Sequence, residues 1–184
     1  MPILSAHKLR FAGGFGGAGA VTYQFFRLYI TKWNFGGGQG DDGNLRIAEF
    51  ELMVDSTAYP TENMTAANAP SPLVVSTDSD DGVRFGWMAF DGNLGPGDPY
   101  RWLSGSDNNT VHWLKIDLGA GNGIAPTSYK ITPDDAVPSQ YWLMSWQLQG
   151  SDTGAFAGEE TVLDTQTDVN TGWTANTQRT FTIA

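Results

Sequence analysis

The feature that most constrains this chain is its punctuation. Short runs of aromatic and β-branched residues recur along the sequence, each closed off by Gly, Asp, Asn or Pro. Helical periodicity is almost absent. Alternating side chains over 4–8 residues describe a strand with one buried face, and the breakers between them describe turns. Eight segments read this way: Tyr23–Thr31, Arg46–Val54, Leu73–Ser76, Val111–Leu118, Ser128–Thr132, Ser145–Gly150, Thr161–Asp164 and Arg179–Ile183. Within them Phe26, Leu28 and Ile30 share a face, as do Leu114, Ile116 and Leu118, Trp146 and Leu148, and Phe181 and Ile183. The expectation is an all-β, double-sheet jelly roll of about eight antiparallel strands. Asn34–Asn44 reads as a long Gly/Asp loop, and residues 55–72 read as a connecting loop.

With 184 residues the chain suits one domain with a full core. Residues 1–19 stand apart. MPILSAHKLR is followed by the Gly-rich FAGGFGGAG, so this stretch reads as a flexible N-terminal arm preceding a domain over 20–184. Two readings of the arm stay open, a disordered tail or a segment that threads onto a neighbouring subunit with Phe11 and Phe15 as anchors. Gly14, Gly16 and Gly19 match a dinucleotide-type glycine spacing, but no strand precedes them and no helix follows, so a nucleotide site is rejected.

Charge and composition exclude several classes of function. The net charge of -10 repels phosphate backbones, which disfavours nucleic acid as a partner. There is no cysteine, so disulfides, thiolate zinc sites and thiol catalysis are ruled out. No apolar stretch is long enough to span a membrane as a helix, and the N-terminus lacks the pattern of a cleaved signal peptide. The two histidines, His7 and His112, fall in the arm and in a strand. His112 shares a face with Leu114 and Ile116, which suits a satisfied sheet histidine better than a base. No serine-nucleophile motif occurs, and an enzyme is not expected.

Three segments together carry a family resemblance. Ala89-Phe90-Asp91-Gly92-Asn93 followed by Arg101-Trp102-Leu103-Ser104 resembles an "A-x-D-G-N … R-W-x-S" loop. Trp113 through Gly119 is similar to a "W-L-x-I-D-L-G" strand, and Trp146 through Gly154 to a "W-x-L-Q-G-S-x-D-G" strand and turn. These are marks of the discoidin, or coagulation factor 5/8 type C, family, which includes family-32 carbohydrate-binding modules. Phe25–Ile30 and Ile47–Leu52 resemble two further strands of that family, which ordinarily come last. The chain thus reads as a circular permutation, in an order that resembles small structural proteins of tailed bacteriophages.

The resemblance implies a non-enzymatic module. It implies a virion structural or binding protein, in decoration, tail or fibre, assembled in the host cytoplasm. Its partners would be other virion proteins or symmetry-related copies reached through the arm. The alternative is a soluble, lectin-like carbohydrate-binding module of bacterial origin. The resemblance also implies a structural Ca²⁺ held by Asp91 and Glu49, with backbone carbonyls near Phe90, Asn93 and Tyr100 completing an oxygen shell. Tyr100 stands where the family often has Thr, which removes a hydroxyl ligand. Against calcium stands an Asx-turn at Asp91, with Glu49 paired to Arg101 or Arg46. A surface glycan would stack on loop aromatics, here Trp33, Trp87, Tyr100, Tyr141 and Trp142. Trp33 and the Asp134–Trp142 loop, with Tyr141 and Trp142, are the candidates. Trp102, Trp113 and Trp146 fall on core positions of the family and are expected to be buried.

Overall fold

The structure is a computed structural model. It describes residues 20–35, 38–39, 44–94, 101–105, 110–134 and 141–184. The architecture is all-β, and every strand pairing described is antiparallel. The strands are β1 (Phe25–Phe35), β2 (Gly38–Gln39), β3 (Arg46–Ile47), β4 (Glu49–Val54), β5 (Thr57–Tyr59), β6 (Val74–Thr77), β7 (Trp102–Leu103), β8 (His112–Asp117), β9 (Ser128–Thr132), β10 (Leu143–Ser151), β11 (Thr161–Gln166) and β12 (Arg179–Thr182). All eight segments expected to be extended are strands.

Two sheets enclose one core. The larger runs β11-β10-β1-β8-β6, and the smaller runs β12-β9-β4-β5. β1 is the central strand of the large sheet. Its Leu28 lies opposite Leu148 on one side and Leu114 on the other. This row, with Phe26, Ile30, Ile116 and Trp146, forms the inner face. Phe50 and Leu52 of β4, Tyr129 and Ile131 of β9 and Phe181 of β12 face it from the small sheet. Aromatic rings interlock at the centre: Tyr129 stacks on Phe181 at 5.2 Å, and Trp146 meets Phe181 edge-on at 5.1 Å. Such pairs add directional preference to burial.

The structure differs from the sequence reading in four places. Arg46–Val54 is two strands. β3 pairs with β7, the chain then bends at Ala48, and β4 pairs with β9. The Asn34–Asn44 loop holds β2, which folds back on Asn34 and Phe35. The 55–72 connection begins with β5 as a hairpin on β4. A 3-10 turn over Gly86–Phe90 leads into the Asp91 loop, and Gly86 packs so closely on Thr77 that a β-carbon there would overlap its methyl group.

Candidate functional site

Glu49 opens β4 and lies directly opposite Thr132 of β9. Phe50 and Leu52 point into the core, so Glu49 and Thr132 sit on the outer face of the small sheet. Both are nonetheless buried, Glu49 at 5% exposure and Thr132 at 0%. The Asp91 loop packs against that end of the sheet: Gly92 N–H donates to Glu49 Oε2 at 3.0 Å. Gly92 has φ +70°, and it approaches the Asn63 amide too closely to admit a side chain. Burial first, and then the charge of Asp91, push the Glu49 carboxyl up to about 9, although the Gly92 hydrogen bond opposes this. Asp91 is also raised, by burial, against the pull of its own hydrogen bond from Asn93 N–H at 2.8 Å.

That last bond is the Asx-turn. The ion pair weighed against calcium takes a different form. Arg46 and Arg101 both turn to Asp134, Arg46 Nη1 at 2.9 Å from Oδ2 and Arg101 Nη1 on Oδ1. The arginine expected for Glu49 is thus committed elsewhere, and the Glu49 and Asp91 carboxyls share one corner in which Glu49 holds its proton.

Calcium suits this corner in part. A hard dication would displace the Glu49 proton and offset the repulsion between the two carboxylates once both ionise. The buried Thr132 Oγ1 has no hydrogen-bond partner in the structure and lies beside Glu49. The Phe90 carbonyl already accepts from Met64 N–H at 2.9 Å, which leaves it one lone pair. Among the described residues no cluster of three or more His, Cys, Asp or Glu side chains forms, so any further oxygens would come from backbone or amide groups. Asn63 was missed in the sequence, because an Asn in a polar, Pro-bearing stretch carries no periodic signal. Tyr100 lies outside the described residues, as do Phe11 and Phe15.

The aromatics expected to meet a sugar are placed differently. Trp33 is buried at 3% exposure and packs on His112 with ring centroids 4.8 Å apart. Trp142 is buried at 9%. Neither offers a ring face to solvent. Tyr141 is half-buried with φ +78°, its backbone held by Asn34 and Arg46, and the Arg46 guanidinium lies 3.9 Å over its ring. Trp102 and Trp146 are buried as expected, but Trp113 is not. It is half-buried on the outer face of the large sheet, opposite Tyr29.

Trp87 is half-buried and packs in part against the core. It lines a cavity of about 450 Å³ beside the edge strand β6, together with Phe85, Ser76, Thr77 and Asp80. The cavity thus brings two aromatic rings beside two hydroxyl-bearing residues and a carboxylate. Asp80 is fixed in place, since its Oδ1 accepts from Gly82 N–H at 2.9 Å.

His112 is fully buried, with Nδ1 2.7 Å from Asp78 Oδ2. Ser79 Oγ approaches the same nitrogen at 3.4 Å. A nucleophile–base–carboxylate relay needs serine and carboxylate on opposite ring nitrogens, and here both meet Nδ1. Asp78 Oδ1 also accepts from Trp113 N–H at 2.7 Å, so the aspartate ties a loop to β8. Comparison of the chain with family models, with curated proteins and with solved structures returned no match.

Proposed function

We propose that this chain is a non-catalytic, discoidin-like binding module that recognises a carbohydrate in the Trp87 cavity. The observation that carries the reading is that cavity's lining: the half-buried Trp87 and the exposed Phe85 with Ser76, Thr77 and Asp80 around them. The Asp91 loop follows directly on the 3-10 turn that bears Trp87. A Ca²⁺ between Asp91 and Glu49 would therefore stiffen the element that presents the indole. When bound, the ion would supply charge neutralisation and a fixed loop. The residues themselves do the rest, with Asp91 and Glu49 as the carboxylate ligands and the Trp87 ring as the platform.

The permuted strand order and the arm with Phe11 and Phe15 favour a virion structural protein of a tailed bacteriophage, docked through that arm. The same cavity would serve a soluble lectin-like module, and mass spectrometry of purified virions separates the two. The test of the binding reading is a glycan array with and without calcium, run on the wild type and on Trp87→Ala. Calcium-dependent binding that Trp87→Ala abolishes is expected. Wild-type binding to no glycan, or binding that survives Trp87→Ala, overturns it.

A further inference from the structure

We infer that a second groove, walled by Tyr59, Pro60, Pro70, Pro72 and Ile124, is the seat for the N-terminal segment of a second copy of this chain, with Phe15 as its buried anchor. The groove has a volume of about 400 Å³ and opens between the 59–62 and 70–73 segments on one side and the 118–124 turn on the other. Its walls are proline rings, Tyr59, Leu73, Leu118 and Ile124, and Glu62 stands among them. Thr61, Ser71 and Asn122 also line it, so proline and tyrosine rings stand beside polar groups and one acid, a lining that fits an aromatic side chain flanked by cationic residues.

The chain's own path points to the occupant. Tyr23 and Ile124 exchange both backbone hydrogen bonds, at 2.9 and 3.0 Å. Ala20, where the described residues begin, is thus three residues from a bridge to a wall of this groove, and Val21 is 60% exposed. With the arm attached three residues before that bridge, two copies related by a two-fold axis can exchange arms in one closed, self-complementary contact.

Charge favours the same occupant. The arm has no acid and carries Lys8 and Arg10, so its charge is +2 and residues 20–184 hold 8 - 20 = -12. An arm laid across a neighbour places its cations against an acidic body and brings Lys8 and Arg10 toward Glu62. Glycines at 13, 14, 16, 17 and 19 let the backbone lie close to the groove walls.

The absence of native cysteine makes the test direct. In the full chain, Gly14→Cys, which keeps the Phe15 anchor, is combined with Thr61→Cys at the groove, or with Thr171→Cys beside Arg179 of the opposite edge strand β12. Mild oxidation is expected to give a disulfide-linked dimer with Thr61→Cys and none with Thr171→Cys. Equal cross-linking at both sites overturns the inference, and so does an exclusively intramolecular disulfide, which would seat each arm in its own groove. Sedimentation equilibrium provides the second readout. Phe15→Ala is expected to weaken the dimer about 10- to 100-fold, as loss of a buried aromatic does. Glu62→Lys should weaken it about tenfold, and Lys8→Glu with Arg10→Glu should restore the Glu62→Lys protein. A wild type that stays monomeric up to its solubility limit, or a Phe15→Ala protein that dimerises unchanged, overturns the inference. Glycan binding at Trp87 is independent of all these variants, so the two proposals fail separately.

Discussion

Trp146 Nε1 donates to the Tyr129 hydroxyl at 2.8 Å, which ties the large sheet to the small one through the middle of the core. The hydroxyl in turn donates to Asp164 Oδ2 at 2.6 Å. A buried polar pair of this kind fixes the relative position of the two layers, because it has one satisfied geometry. Tyr129→Phe keeps the ring and removes the oxygen, leaving the indole N–H without an acceptor. It is expected to lower stability by about 1–3 kcal/mol, read as a lower urea midpoint with unchanged far-UV circular dichroism.

The second prediction concerns Asp134, which holds Arg46 and Arg101 in a buried corner. Asp134→Ala leaves two guanidinium groups with their shared carboxylate gone. A loss of about 3–5 kcal/mol is expected, the range for breaking a buried ion pair by removing one partner. Thermal unfolding in high salt should recover little of it, because the site is shielded from solvent ions.

The third follows from Glu49. Its folded carboxyl titrates near 9, above the ordinary 4.5, so the folded state binds this proton more tightly than the unfolded chain. In metal-free protein its contribution is fully present below about pH 4.5 and is lost as pH rises toward about 9. Urea midpoints measured in chelator at about pH 5 and about pH 8.5 should therefore fall for wild type, by more than about 2 kcal/mol in stability. Glu49→Gln should lack that slope. Calcium should raise the wild-type midpoint more at the higher pH, where it no longer competes with a proton, and should leave Glu49→Gln unmoved.

The fourth separates the half-buried Trp87 from the buried Trp33. Trp33→Ala is expected to cost about 3–5 kcal/mol through the cavity it leaves and to leave sugar affinity unchanged in the folded fraction. Asp80→Asn should do the reverse. It keeps the turn acceptor for Gly82 yet alters hydrogen bonding in the Trp87 cavity, so affinity falls while the melting temperature holds. Calorimetric titration beside thermal melts reads both quantities.

The strands were legible because alternation is a direct imprint of one buried face. Phe26, Leu28 and Ile30 point inward as their spacing dictates. Trp33 was illegible for the same reason. It is out of phase with Ile30, and the register shifts twice between Ile30 and Trp33, which rotates the indole inward. Trp113 shows two signals in competition. The resemblance placed it in the core, but Leu114 and Ile116 already held the inward positions, and alternation left it outside. The Glu49–Asp91 corner was partly legible, since both carboxylates sit in recognisable segments. The diversion of both arginines to Asp134 depends on a third segment, and single-sequence patterns carry no such long-range choice.

The placement of β1 has a kinetic consequence. The central strand of the large sheet precedes all its partners in the sequence, and Phe26 waits for Ile116 and Gly150, 90 and 124 residues downstream. Until the ribosome has released that later sequence, the emerging hydrophobic row has no neighbour to close on. Assembly should therefore be slow, and any product truncated before β8 should expose a long, sticky strand edge to chaperones.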